Sequence, residues 1–367
     1  MGDGTQGPTA HGKCMTETLA QKDGLITDNW YVACLSSEVG VGKVIQRIVY
    51  DQALAIFRTQ SGKVSILQDR CLHRMALLSL GEVRGEHLTC MYHGWEYNRE
   101  GQVQRIPSED PGSKDQVRYC QTKIYSCEQD GAIWVWMGSG QPTTSTPPWR
   151  FPERNNPEWE SYFMITDFPN EVTNLAENFM DVPHTVFVHR GWFRDEQKER
   201  KKIPTTVEVA KSRVLVTYHQ EKDEFSWGAR MLLNPKGAPM KHTDEFIYPN
   251  ITRVDYWFGD NGFIINSQGT PVSNMNTRVY TYIAYKIPLF KKILKPVFGY
   301  YTRQVIEQDV LIMQNQARCL KLHQKPQFHS TECDELHVQI ERLRFYGKTG
   351  HPLLHTYESK KEIYFWI

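Results

Sequence analysis

The chain has 367 residues, a length that predicts two domains of roughly 100–250 residues each. Its formal net charge is +1 and 23% of its residues are charged, so it lacks the basic excess typical of nucleic-acid-binding proteins, and we expect no nucleic-acid partner. No run of about 18 apolar residues occurs, and the first residues lack the apolar core of a signal peptide, so we expect a cytoplasmic protein with no transmembrane segment.

The first half of the chain has the pattern of a β domain. Residues 1–28 are polar and rich in Gly and Thr, which predicts a mobile N-terminal segment. Over residues 29–137, short segments rich in Val, Ile, Tyr and Trp are divided by Gly and Asp turns, a pattern typical of antiparallel strands. Residues 138–158 are dense in Gly, Pro, Ser and Thr, and they predict a linker to a second domain over residues 159–367.

The second domain mixes helical and strand patterns. Residues 173–189 lack Gly and hold their apolar residues at helical spacings, which predicts a helix with a bend or break near Pro183. Residues 300–320 predict a long helix, and residues 287–298, which contain two prolines, predict an irregular entry to it rather than a helix lying on a membrane surface. Six strand-like segments lie between the helices: TTVEVA, RVLVTYHQ, WGARMLL, RVDYWFG, GFIINSQG and RVYTYIAYKI. A curved sheet closed by a long helix commonly encloses an apolar pocket.

Two Cys and His pairs in the first domain have the spacing of metal ligands. Cys71 and His73 form a C-x-H pair, and Cys90 and His93 form a C-x2-H pair, with sixteen residues between the two pairs. Each pair can present both side chains from one tight loop. Two thiolates on one iron and two imidazoles on the other describe a Rieske-type [2Fe-2S] cluster, which carries one electron at a time. A tetrahedral zinc ion would also accept this set of ligands.

A second group of ligands lies in the predicted helices of the second domain. His184 and His189 are five residues apart, with Pro183 just before the first, so both imidazoles can converge on one metal from a bent helix. A third ligand has to come from a distant carboxylate, and the long helix offers Glu307 and Asp309. Residues two apart in a helix point about 200° away from each other, so only one of these acids can face the pocket. Spacing leaves the choice open.

The two constellations together resemble the Rieske non-haem iron oxygenases. The boxes CLHR and CMYHGWEYNREGQVQRIP are similar to the two halves of the Rieske signature, and N-x-x-D-x-x-H-x4-H resembles the mononuclear-iron motif. The resemblance extends from Trp30 to about Gln316 and implies an α+β protein, with a Rieske-type antiparallel β domain and a Bet v 1-like helix-grip catalytic domain. It also implies a [2Fe-2S] cluster and a mononuclear Fe(II), whose ligands would be Cys71, His73, Cys90 and His93 for the cluster and His184, His189 and Asp309 for the single iron.

The resemblance extends to partners. Family members are usually head-to-tail homotrimers, in which Asp181 would link His184 of one subunit to His93 of the partner subunit. A separate reductase, in some systems with a ferredoxin, would supply electrons from NAD(P)H. The chain has no GxGxxG dinucleotide fingerprint, which agrees with a reductase on another chain.

We therefore expect a terminal oxygenase that uses O2 to hydroxylate or oxidatively demethylate a small organic substrate. Asn178, three residues before Asp181, and the E-Q-D segment look more like the vanillate and dicamba demethylases than like cis-dihydroxylating ring dioxygenases, which are the alternative inside the family. Two other classes are a Rieske electron-transfer protein, which would not need the second domain, and a zinc-stabilised binding protein.

Overall fold

The computed structural model describes residues 25–110, 119–122, 124–143, 147–192, 200–220, 222, 227–287, 291–323 and 328–366. The described residues divide into two compact units, one within residues 27–148 and the other within residues 149–366 together with Leu25 and Ile26. In its described part, the first unit consists of antiparallel strands and short 3₁₀ turns, whereas the second combines helices with one large sheet. The predicted α+β fold class is therefore confirmed.

Among its described residues, the first unit contains ten strands in three small sheets. The first sheet has the order β1 (Asn29–Leu35), β10 (Ala132–Met137) and β9 (Ser126–Gln129). The second has β2 (Val44–Val49), β3 (Gln52–Arg58) and β4 (Val64–Gln68). The third has β5 (Glu82–Arg84), β6 (His87–Thr89), β7 (Glu96–Tyr97) and β8 (Val103–Arg105).

The second and third sheets position the Cys and His loops. One loop follows the end of β4, and the other joins β6 to β7. Both loops rest on a buried cluster that includes Phe57, Leu78, Leu88 and Tyr97, each of which is fully buried. The loops are therefore anchored from below by apolar packing, as a site that has to keep a fixed geometry requires.

The second unit is built on an eight-stranded antiparallel sheet with the order β11-β17-β16-β15-β14-β13-β12-β18. The strands are β11 (Glu160–Phe168), β12 (Lys202–Ala210), β13 (Arg213–Tyr218), β14 (Met240–Ile247), β15 (Ile251–Phe258), β16 (Asn261–Ser273), β17 (Asn276–Lys286) and β18 (Ser359–Trp366). The helices are α1 (Val172–Met180), α2 (Trp227–Leu233), α3 (Lys291–Leu322) and α4 (Glu335–Thr349). Helix α1 contacts β14, β15 and β16, and α3 contacts β11 and α1.

The structure contradicts two of the sequence-based assignments of secondary structure. The segment WGARMLL is helix α2 rather than a strand, because Ala, Arg, Met and Leu are strong helix formers and a short apolar run does not distinguish the two states. Helix α3 begins at Lys291 and contains Pro296, so residues 291–298 are helical rather than irregular. The fully buried side chain of Phe298 packs against Tyr285 of the sheet, which stabilises the helix beyond the proline.

The predicted break near Pro183 is present. Helix α1 ends at Met180, and a 3₁₀ turn, Pro183–Val186, follows Asp181. None of the helices in the described ranges is long and apolar enough to cross a membrane.

Candidate metal centres

The two Cys and His loops of the first unit share one backbone design. The N–H of Cys71 donates to the carbonyl of Ala76 at 2.7 Å, and the N–H of Cys90 donates to the carbonyl of Trp95 at 2.8 Å. Four residues after each cysteine, the N–H of Met75 or of Gly94 donates a hydrogen bond of 3.0 Å to the cysteine carbonyl. The loops therefore hold two cysteines and two histidines in matching turns.

The residue that donates this hydrogen bond in each loop has a left-handed backbone. Met75 has a φ of 57° and Gly94 a φ of 72°. A Cβ on Gly94 would also lie only 3.0 Å from Cγ of Pro107, so glycine is needed there for space as well as for conformation.

We predict that Gly94→Ala lowers the free energy of unfolding of the first unit by about 1–3 kcal/mol and loosens the second loop. Thermal unfolding followed by the cluster's visible absorbance measures both effects. Gly85→Ala is the matched control, because Gly85 has a φ of 60° but no atom within 4 Å of an added Cβ. Equal losses in the two variants would show that the contact with Pro107 plays no part.

The thiols of the two loops point inward and the imidazoles lie at the surface. Cys71 and Cys90 are each 2% exposed, whereas His73 is half-buried and His93 is exposed. The two imidazole rings are 4.5 Å apart between centroids. Burial and the adjacent Cys71 thiol raise the pKa of Cys90, so a cation would be needed to keep the Cys90 sulfur as a thiolate.

Trp95 and Tyr97 also position these ligands. In the sequence they were recognised only as parts of a motif, and no role was assigned to either. The Trp95 ring stacks on His73, with 5.1 Å between centroids and 4° between planes. The Tyr97 hydroxyl accepts the N–H of Leu72 at 2.9 Å and lies 3.2 Å from Sγ of Cys71. Burial raises the pKa of Tyr97, so its proton remains available to the sulfur.

In the second unit, the break after α1 and the middle of α3 bring three donor atoms together. Nε2 of His184 lies 3.2 Å from Nε2 of His189 and 3.5 Å from Oδ1 of Asp309. Nε2 of His189 lies 3.3 Å from the same Oδ1 atom. Donors that bind one cation through bonds of roughly 2.1 Å lie about 3.0–3.4 Å from each other. The three residues therefore fit a single metal ion on one side, with coordination positions left for other ligands.

The structure distinguishes Asp309 from Glu307 as the third ligand, which residue spacing alone did not. Asp309 is 5% exposed and faces the histidines, whereas Glu307 is exposed on the outer side of α3. Asn178 of α1 donates through Nδ2 to Oδ1 of Asp309 at 3.0 Å. The amide therefore fixes the carboxylate that the histidines approach.

Each histidine has a second contact through its other ring nitrogen. Nδ1 of His189 lies 3.0 Å from Oε1 of Gln308, and Nδ1 of His184 lies 3.6 Å from Oδ2 of Asp181. An acceptor at Nδ1 keeps the proton there and leaves the Nε2 lone pair free for a metal. Sequence reasoning did not identify Gln308. The sequence signal that could have identified Gln308 is its position directly before Asp309, a candidate ligand.

Electrostatics at the second centre favour a cation. Burial opposes a charge on His184, but the carboxylates of Asp181 and Asp309 raise its pKa to about 9. Burial also opposes a charge on Asp309, but hydrogen bonds with both histidines hold its pKa well below the usual range. A bound metal ion would supply the positive charge that a proton on His184 otherwise supplies beside Asp309.

Comparisons with known proteins match both halves of the chain. The profile of the Rieske [2Fe-2S] domain matches residues 29–126, and that of the vanillate O-demethylase oxygenase C-terminal domain matches residues 171–344. The vanillate O-demethylase oxygenase subunit of Pseudomonas sp. (strain HR199 / DSM 7063) is 31% identical over 180 residues, which are 49% of this chain and 49% of that protein. Chlorophyllide a oxygenase of Chlamydomonas reinhardtii, a chloroplast protein, is 32% identical over 177 residues, 44% of this chain and 25% of that protein.

The aligned stretches thus span less than half of either relative. Among solved structures, dicamba monooxygenase bound to dicamba has the same fold, with a TM-score of 0.74 at 21% identity over 89% of this chain and 98% of that one. With a Rieske domain followed by a C-terminal domain of the vanillate O-demethylase oxygenase type, the chain belongs to the Rieske non-haem iron oxygenases.

Proposed function

We propose that this chain is the terminal oxygenase of a system that hydroxylates or oxidatively demethylates a small organic substrate. The observation that carries the proposal is the convergence of His184, His189 and Asp309 on one point, in a chain that also holds a Rieske domain. When bound, a two-His, one-carboxylate Fe(II) supplies open positions for O2, and a [2Fe-2S] cluster supplies single electrons.

The cluster assignment uses the two matched loops. Cys71 and Cys90 would hold the inner iron, and His73 and His93 the outer one. The fit is supported by Nδ1 of His73, a buried atom without a hydrogen-bond partner among the described residues. The exposed edge formed by the two histidines would receive electrons from a separate reductase, which in some systems works with a ferredoxin.

In the second centre, His184, His189 and Asp309 would bind the mononuclear iron, and Asn178, Asp181 and Gln308 would orient those three ligands. Oriented ligands lose less freedom when the metal binds, so they raise its affinity. Helix α3 also contributes Ile306 and Met313, which lie on either side of Asp309 in the chain, to a buried apolar cluster that includes Phe168 and Tyr256.

We predict that Gln308→Leu weakens Fe(II) binding by about 10- to 100-fold, because His189 would lose the acceptor that fixes its proton at Nδ1. Titration of the iron-free protein with Fe(II), followed by metal analysis, measures the change. Gln304→Leu, one turn earlier on α3, is the control, and its iron affinity should stay that of the wild type. If Gln308→Leu also binds iron normally, Gln308 does not position His189.

We infer a homotrimer in which the cluster of one subunit serves the iron of the next. The surface beside the cluster loops is unusually apolar, with Met75 65%, Met91 65% and Tyr92 64% exposed. Phe187, in the segment between the two candidate histidines, is 63% exposed. Exposed apolar patches of this kind are typical of surfaces that bind another protein. Asp181, at His184, would then contact His93 of the partner subunit.

Substrate-dependent O2 uptake tests the function most broadly. The reduced, iron-loaded protein would be offered methoxyarenes, N-methyl compounds, steroids and alkaloids. We expect uptake with at least one class and a product carrying one atom from O2. Two inserted atoms would favour the ring dioxygenase, and no uptake by the fully metallated protein with any class would contradict the proposal. A cytoplasmic location stays a prediction, since one relative is a chloroplast protein.

A further inference from the structure

Three aromatic rings form a row across the inner face of the large sheet. Tyr218, His242 and Tyr256 occupy paired positions on β13, β14 and β15. Neighbouring rings stack with 4.2 Å between centroids in both contacts and with interplanar angles of 18° and 21°. All three side chains are at most 5% exposed. We call these three residues the ring row.

A buried carboxylate is joined to the ring row. Asp244 follows His242 by two residues on β14, so it lies on the same face, and it is 1% exposed. Its Oδ2 accepts the Tyr218 hydroxyl at 2.7 Å, and its Oδ1 lies 2.9 Å from Nε2 of His242. Burial and the Asp244 charge raise the pKa of Tyr218 well above its usual value, so the hydroxyl remains a donor.

The ring row shares its buried clusters with the elements that carry the candidate metal ligands. Tyr218 belongs to the same buried cluster as Val186, in the turn that carries the first candidate histidine. Tyr256 belongs to the same buried cluster as Ile306 of α3, the helix that carries the candidate carboxylate. The row therefore lies between the sheet and the two elements that hold the metal ligands.

The stability of the fold does not explain a charge at this position. The partners of Asp244 on the adjacent strands, Val216 and Val254, are apolar and buried. Replacing a buried ion pair with apolar side chains is often neutral or stabilising, so an apolar residue would serve the core equally well. A few polar groups placed in an apolar wall are typical of ligand pockets.

Asp244 brings a carboxylate to the ring row. Within the described ranges its ion-pair partner is His242, so no lysine or arginine there pairs with the carboxylate. A carboxylate beside aromatic rings is an arrangement that binds organic cations, through its charge and through the electron-rich ring faces.

We propose that Asp244 and the ring row form a substrate subsite for a cationic nitrogen, so that the substrates are small organic cations with an apolar body. The inference rests on the proposed oxygenase function. A cation held at Asp244 would direct the rest of the substrate towards the histidines. Asp244 would then determine specificity without touching the metal.

Binding to the iron-loaded protein tests this subsite without turnover. Phenyltrimethylammonium and tert-butylbenzene have nearly the same shape and differ in charge, and benzoate carries the opposite charge. By calorimetry we expect the cation to bind about tenfold or more tightly than either other probe, since a buried charge pair contributes on that scale. Equal or weaker binding of the cation to the wild type overturns the proposal, whether or not any variant folds.

Asp244→Asn is the decisive variant because the amide keeps the volume and can still accept hydrogen bonds. We expect about a tenfold or greater loss of cation affinity, with tert-butylbenzene binding unchanged. Glu245→Gln is the matched control, because Glu245 is the next residue on β14, points to the opposite face and pairs with Arg213 at 3.1 Å. Iron content and the cluster spectrum, measured on each preparation, report on folding.

The outcomes separate the subsite from the proposed function. If the metals are bound and O2 uptake occurs while Asp244→Asn keeps the wild-type preference for the cation, the subsite is wrong and the oxygenase assignment stands. If cation binding depends on Asp244 but no substrate class supports O2 uptake, the subsite stands and the proposed function is wrong.

Discussion

Asp309→Ala is expected to empty the mononuclear centre while leaving the cluster's visible spectrum unchanged. The side chain is 5% exposed and supplies the only carboxylate oxygen that lies within 4 Å of both histidine Nε2 atoms in the described part of the chain. Its removal leaves two imidazoles to hold the metal, and Asn178 loses its acceptor. Metal analysis of the purified variant, together with its absorption spectrum, gives the iron content of each centre.

Glu307→Ala is the matched control for this prediction. Glu307 is an acid on the same helix but is exposed on its outer side, so the variant should keep the full iron content and activity. If Glu307→Ala loses the mononuclear iron and Asp309→Ala retains it, the ligand assignment is wrong.

Asp181→Ala is expected to abolish turnover while both metal centres stay occupied. Asp181 lies 3.6 Å from Nδ1 of His184, with its side chain 25% exposed, so it can contact a second subunit and still orient the histidine. It does not itself supply a metal ligand in this arrangement. Rapid mixing of the reduced protein with O2 and substrate should show a cluster that is oxidised far more slowly than in the wild type. Normal turnover by a fully metallated variant would exclude the bridging role.

A complementation experiment tests whether that bridge joins two subunits. Cys71→Ala should lack the cluster, and Asp309→Ala should lack the mononuclear iron. Co-expressed mixed oligomers should regain part of the activity, because an intact cluster of one subunit can face an intact iron of the next. Complete inactivity of mixed oligomers that contain both centres would contradict transfer across the interface.

The sequence predicted best what depends on short stretches of chain. Cys71 and His73 share one turn, as do Cys90 and His93, so residue spacing alone suggested a common metal. The break near Pro183 was equally local, because proline ends a helix by sterics and by its missing N–H. Both features follow from a few neighbouring residues.

Features that depend on tertiary packing could not be predicted in the same way. The inner position of Asp309, rather than Glu307, follows from the face that α3 turns to α1 and the sheet. Residue spacing could not identify Gln308, because its partner His189 is far away in the chain. Asp244 and the ring row depend on the register of three strands, and the prediction had no strand at β14. The helix at Trp227–Leu233 was predicted as a strand, because its short apolar run was given more weight than the helix propensity of its residues.

The most direct test of the central claim is the iron and sulfide content of the pure protein, together with the EPR spectrum of its reduced form. We expect three irons and two sulfides per chain, a Rieske-type signal on reduction, and loss of one iron alone in Asp309→Ala. A colourless protein containing zinc would contradict it. Two irons per chain, with no further iron bound at His184 and His189 on reconstitution, would instead identify an electron carrier.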